Sequence, residues 1–383
     1  MDEMDSRERI DAAIALQPVD RVPIIPLMDI VSPRFQGVTQ AQVIREPDLG
    51  REMMIKTFDD LGGWDATFSS GATMETDIGG APFVMACKLP GYELSDDVVW
   101  QLDEKEIMKV ADYDFILKNG WNAYMVLAYP RLGAPVPPDQ FIQRLGQIAA
   151  QSVKDTQIWE AKGVSLFSVT GALPAFESLS MTRSLKEVIT DIYRRPDIVE
   201  ATIDVIMAEQ IPMSIANFQE LKKVTKWGSR VMFIGATRSP FLSPPNFDRF
   251  FWKYLKSEVN QLLDAGITPL LHFDSNWERY LERFLELPKG QVILELDSTT
   301  NIFKAKEILK GHMCLMGDVS ASLLKLGTPE EVTAYVKKLI DVVGDGNGFI
   351  LSTGCDCPID AKFENVKAMI DTGKNYYPHH KVF

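Results

Sequence analysis

What this sequence lacks narrows its identity before any motif is read. Cysteine is scarce: Cys87, Cys314, Cys355 and Cys357 are the four in 383 residues. That excludes a disulfide-stapled scaffold. Three of the thiols fall within the last 70 residues of an acidic chain, a pattern that points to metal binding or catalysis with reduced thiols. Positive charge never gathers into a block, and the net charge is -13, so nucleic acid is not an expected partner. No apolar run reaches the roughly 18 residues of a membrane span. Met1 to Arg9 is charged and lacks the apolar core of a signal peptide, so the expected location is the cytoplasm. No glycine-rich phosphate fingerprint follows any strand-like run, which disfavours a dinucleotide-binding sheet.

What is present is ample core material, with 46% hydrophobic residues. Short continuous apolar runs begin at Val22, Trp64, Val164, Val231, Ile267, Val292, Met313 and Phe349, and helical stretches separate the later ones. Apolar strands alternating with helices mean a parallel sheet buried on both faces. Eight such strands predict an α/β fold of the (β/α)8 TIM-barrel type, with an open doubly wound sheet as the structural competitor. Helices are expected over Ser6–Leu16, Ala41–Leu61, Leu185–Asn217 (broken at Pro196 and Pro212), Asn246–Asp264, Trp277–Leu285, Ile302–Leu309 and Pro329–Val343. Residues 100–160 read as a helical insertion over the barrel top, and 1–383 as one domain.

The stretch that organises the chain is Leu270-Leu271-His272-Phe273-Asp274-Ser275-Asn276-Trp277, an apolar strand running into metal-capable side chains. Two later strands end comparably, at Cys314-Leu315-Met316-Gly317-Asp318 and at Ser352-Thr353-Gly354-Cys355-Asp356-Cys357. A barrel brings such ends together at its carboxyl rim. His272, Asp274, Cys314 and Cys355 are therefore the candidate metal ligands, a donor set suited to zinc. Asp274 and Cys314 are 40 positions apart and Cys314 and Cys355 are 41 apart, so no local finger motif exists and convergence must come from the fold. His272 and Asp274 point the same way if the strand continues. Each has a plainer reading: His272 as a hydrogen-bonded core histidine, Asp274 as a helix cap, Cys314 as a buried apolar thiol. Glu295 and Asp297 are candidate ligands or supports for them. His312, His379 and His380 read as surface or tail, and Cys357 as a turn residue. Asp318 is a second candidate catalytic carboxylate beside Asp274. Arg238 and Asn276 are candidate substrate contacts, against salt bridging and capping respectively. Trp121, Tyr124, Phe176 and Trp227 line a pocket or fill the core.

Arg7-Glu8-Arg9 with Val19-Asp20-Arg21-Val22-Pro23, Ser243-Pro244, Gly317-Asp318-Val319, Ser352-Thr353-Gly354-Cys355 and the closing Glu364 to Met369 together resemble the uroporphyrinogen decarboxylase superfamily. The resemblance implies a barrel and one of two chemistries. Porphyrinogen decarboxylases carry an arginine-rich loop after the first strand; here Leu27 to Arg34 holds one arginine, too few for a polycarboxylate. The corrinoid-linked zinc methyltransferases place His-x-Cys after the fifth strand and Cys after the eighth. Here His272-Phe273-Asp274 and Cys355 stand in those places, an oxygen replacing one sulfur. Some methoxy-aromatic demethylases use a carboxylate with two cysteines, which would suit Asp274, Cys314 and Cys355. This branch implies zinc, a corrinoid on a partner protein, and a small methylated substrate such as a methyl ether. Thiol methylation, decarboxylation and a non-catalytic binding barrel are the alternatives.

Overall fold

Ile25 donates its backbone N–H to the Leu351 carbonyl, and Leu351 donates to that of Pro23. These bonds join the first apolar run to the last strand and close a ring. The computed structural model describes residues 3–71, 77–81, 84–227 and 229–377. In it the staves follow chain order: residues 22–27, Ala66–Thr67, the pair Ser165–Leu166 and Gly171–Ala172, Val231–Ala236, Thr268–Phe273, Ile293–Leu296, Cys314–Val319 and Phe349–Thr353. Asp65 bonds Ile24, Ala66 pairs with Ser165 in parallel, and Val231 bonds Phe167, which completes the circle. The expected TIM-type barrel is what forms, and the open sheet is excluded.

Alternation along each stave sorts the core into two layers. Val231, Leu270, Ile293 and Ile350 face inward with Ile25 and Phe167. Their neighbours Met232, Leu271, Leu294 and Leu351 face outward, beneath the helices. The helix Ser6–Ile14, started by a capping box between Asp5 and Glu8, lays Ile10, Ala13 and Ile14 across the amino end of the barrel as a floor. Buried Arg9 holds that floor, reaching Asp20 at 2.7 Å and Asp65 at 2.6 Å, while Arg21 reaches Asp65 at 2.7 Å. The amino-terminal signature residues thus serve closure at the end away from the chemistry.

Three helices, Asp112–Asn119, Trp121–Leu132 and Phe141–Ala161, fill the stretch between the second and third staves. Several expected helices differ in detail. The 41–61 stretch divides into Gln40–Arg45 and Pro47–Asp60, because Pro47 opens a new first turn. The break at Pro196 occurs, but Pro196–Val224 continues through Pro212, whose ring faces solvent. Glu278–Glu286 is a 3-10 helix rather than an α-helix. Among the described residues no helix is long and apolar enough to cross a membrane.

Candidate metal centre

The site grows out of register. Parallel pairing sets His272 beside Glu295 on the neighbouring stave, two residues above the inward-facing pair Leu270 and Ile293. His272 Nδ1 lies 2.7 Å from Glu295 Oε2, and its ring packs against Phe233 at 4.9 Å between centroids. With Nδ1 committed to the carboxylate, Nε2 turns to the mouth. There it stands 3.5 Å from Cys355 Sγ and 3.4 Å from Asp274 Oδ1. One ligand atom each from His272, Asp274 and Cys355 fall within 4.8 Å of one another.

The chain around these donors is pinned. Asp274 donates its N–H to Ala236, and its carbonyl accepts from the Trp277 indole at 2.7 Å. Ser275, at φ 75°, donates to Asp297 Oδ2 at 2.9 Å, so the backbone turns just after the ligand stretch. Asp297 anchors loops in this way and also accepts from Thr299. Gly354 precedes Cys355 because a Cβ there would meet the Asp297 carbonyl carbon at 3.0 Å. The capping alternative for Asp274 does not hold: Asn276 Oδ1 accepts from the Glu278 N–H instead. Asp274 Oδ1 is buried against His272 Nε2 at 3.4 Å, and Glu295 Oε1 is buried without a hydrogen-bond partner. A buried carboxylate oxygen with no donor is costly unless a cation satisfies it.

The electrostatics describe a site awaiting positive charge. Burial works against charging His272, but the Glu295 carboxylate outweighs it, with Asp274 and Cys355 adding, and the imidazole is held well above its usual range. Burial pushes the Cys355 thiol up to about 11, His272 opposing. A divalent cation reverses both directions, since it deprotonates a coordinated thiol and displaces the imidazole proton. Imidazole, carboxylate and thiolate form a donor set that fits zinc with a position left open.

Beside this cluster lies a feature not foreseen from the sequence. Asp356 is held far above the carboxylate range, first by burial and then by the charge of Asp29, which is itself raised by burial. Two carboxyls that interact in this way disfavour each other's ionisation. Their signal was faint: each follows a stave end, Asp29 the first and Asp356 the last.

Cys314 is not brought to the site, which corrects the four-ligand expectation. It begins its stave opposite Ile293, one inward layer below the Glu295–Met316 pairing, and packs in the apolar floor cluster. Two residues of strand place it roughly 6–7 Å deeper, and burial pushes its thiol up to about 12. Asp318 is 2% exposed, and its Oδ1 accepts from Tyr335 at 2.7 Å. Burial raises its carboxyl to about 7, with Tyr335 opposing. It stands outside the His272 cluster.

Arg238 is engaged with Glu104 at 3.4 Å and with the Ser180 carbonyl, and Asn276 spends both ends of its amide on Thr299 and Glu278. Trp121, Tyr124 and Phe176 are core, and Trp227 packs under Arg7. His312 bonds the Leu287 carbonyl, Cys357 is buried, and His379 and His380 lie outside the described residues.

Fold and site together define an enzyme-type barrel with metal-capable imidazole, carboxylate and thiol groups gathered at its carboxyl mouth. The family described as uroporphyrinogen decarboxylase (URO-D) matches residues 139–376, and the chain belongs to it. Uroporphyrinogen decarboxylase of Neisseria meningitidis serogroup C / serotype 2a is 26% identical over 194 residues, covering 50% of this chain and 52% of that protein. The Pseudoalteromonas translucida protein of the same name is 25% identical over 169 residues, covering 43% and 46%. The chain spans about half the length of the curated relatives it matches. A solved methyltransferase from Methanosarcina mazei superposes with TM-score 0.66 at 19% identity, over 98% of this chain and 100% of that one, a likeness of fold.

Proposed function

We propose that this protein moves a methyl group between a small methylated substrate and the cobalt of a corrinoid carried by a partner protein, with zinc held by His272, Asp274 and Cys355. A methyl ether, such as a methoxy-aromatic, is the substrate that suits the donor set best. The observation that carries this reading is the meeting of three metal-capable atoms, one each from His272, Asp274 and Cys355, within 4.8 Å of one another. The described methyltransferase of the same fold supports it.

Bound zinc would supply Lewis acidity at an ether oxygen, or hold a thiol as thiolate. Asp274 in place of a second sulfur leaves the cation the stronger Lewis acid, which favours the ether. The protein's own residues do the remaining work. Glu295 fixes the tautomer and orientation of His272 by accepting at Nδ1. Asp274 and Cys355 bring the negative charge that a divalent ion requires. Phe233 shields one face of the imidazole from water. Asp318 and Arg238, held by Tyr335 and Glu104, act on the frame rather than on the substrate.

Decarboxylation is the second reading, favoured by the names of the curated relatives. It calls for several arginines at the mouth. Arg34 is exposed on the short helix Val31–Phe35 and Arg238 is tied to Glu104. Metal content decides between the two. Protein purified without chelator is expected to carry about one zinc per chain, and Cys355→Ala to lose it. Methyl transfer from methoxy-aromatics to cobalt(I) cobalamin is then expected. A metal-free native protein that decarboxylates a porphyrinogen would overturn the reading.

A further inference from the structure

The helix Ala175–Arg183 follows the third stave and is buried along its whole length. Glu177, in its first turn, is 0% exposed. A carboxylate so placed needs a cation or several donors. Here it has donors, and they come from one loop, the turn that leaves the fourth stave. The Ser239 N–H reaches Glu177 Oε1 at 2.8 Å, and the Ser239 hydroxyl donates to the same oxygen. The Arg238 N–H lies 3.1 Å from Oε1 and 3.2 Å from Oε2. Burial pushes the Glu177 carboxyl up, and the Ser239 hydroxyl opposes it together with the N–H groups of Ser239, Thr237 and Arg238. Successive N–H groups turned onto one anion form a backbone nest. Glutamine would not serve in its place, because it offers one acceptor oxygen and turns an amide NH2 on the remaining donors.

The same loop holds the metal-capable stretch on its other side. Ala236 pairs with Phe273 in parallel register, and its carbonyl accepts the Asp274 N–H at 3.1 Å. The Thr237 carbonyl accepts from Ser275 Oγ at 3.0 Å. Donors of residues 237–239 thus point to Glu177, while the carbonyls of 236 and 237 point to Asp274 and Ser275.

We propose that Glu177 is a positioning residue for the candidate metal centre: it clamps the loop 237–239, and that loop sets where Asp274 stands. What the position serves rests on the zinc reading, whereas the clamp itself is testable without metal.

Zinc affinity of the full chain, read by competition with a chromophoric chelator, and the visible spectrum of its cobalt(II) form test the proposal. Glu177→Gln is expected to lower zinc affinity roughly tenfold, the scale on which supports of a ligand act, and to shift the cobalt spectrum. Ser275→Ala cuts the link at the Thr237 carbonyl without touching the buried carboxylate, and is expected to cost about two- to fivefold, one hydrogen bond. Because both act through one loop, the double variant should lose less than the product of the two factors. Arg9→Met, destabilised at the opposite end of the barrel, should keep both affinity and spectrum. Unchanged affinity and spectrum in Glu177→Gln, or in Ser275→Ala should the first variant not fold, overturn the proposal, as does a full product in the double variant. Hydrogen exchange separates the clamp from the zinc reading. If the parent protein holds no zinc, faster exchange of the Asp274 and Ser275 amides in Glu177→Gln upholds the clamp and sinks the zinc reading. Zinc held by the parent, with exchange and affinity untouched in Glu177→Gln, sinks the clamp alone.

Discussion

Glu295 Oε2 and His272 Nδ1 are 2.7 Å apart, side by side on adjacent staves. That contact decides which imidazole nitrogen faces the mouth. Glu295→Gln preserves shape but weakens the acceptor that fixes the tautomer. Zinc affinity, read by competition with a chromophoric chelator, is expected to fall about 10- to 100-fold, the usual cost of losing such a support. Unchanged affinity would mean that His272 is not a ligand.

The two thiols once grouped together are expected to separate. Cys355→Ala removes a donor and should release the metal. Cys314→Ala, in the floor beside Leu270, Ile293 and Ile350, should keep full metal content. Its cost is expected in stability alone, about 1–2 kcal/mol for a small buried vacancy. Metal analysis paired with denaturant midpoints tells them apart, and metal loss in Cys314→Ala would restore the four-ligand expectation.

How far the sequence led follows from the physics of a barrel. Parallel staves are buried on both faces, so Val231–Ala236 and Phe349–Thr353 stand out as unbroken apolar runs. His272, Asp274 and Cys355 were legible because polar residues at the carboxyl ends of such runs must meet. Cys314 misled because composition does not say which end of a run is the mouth; it opens its stave, whereas Cys355 follows one. Asp29 and Asp356 went unseen because their interaction exists only when the ends of the first and last staves meet. Pro212 was read as a breaker, yet on the solvent side of a long helix its missing N–H is tolerated.

The floor supplies a stability test independent of the chemistry. Arg9 is 1% exposed and bonded to Asp65 and Asp20. Arg9→Met leaves Asp65 with Arg21 as a charged partner and removes three bonds from the guanidinium to carboxylates, two to Asp20 and one to Asp65. Loss of a buried pair partner costs on the order of 3–5 kcal/mol. A fall in unfolding free energy of that size, read from the denaturant midpoint and slope, is expected. Zinc affinity in the still-folded fraction should not move, because the floor and the mouth are opposite ends of the barrel.

Glu258, on the helix Lys253–Asp264, is fully buried and neither of its oxygens has a hydrogen-bond partner. Burial raises its carboxyl from the ordinary 4.5 to about 8. The folded state thus binds this proton more tightly than the unfolded chain. Its contribution is fully present below about 4.5 and is lost as pH rises toward about 8. One proton taken up on folding corresponds to a slope of about 1.4 kcal/mol per pH unit across that window. Glu258→Met, of similar length and without the proton, should be more stable than the parent at pH 7 by roughly 2–4 kcal/mol. The gap between the two should close as the pH is lowered toward 5. Urea midpoints for both proteins at a series of pH values read this directly. Parallel pH curves would show that Glu258 stays charged in the fold, held by a donor that its surroundings do not reveal.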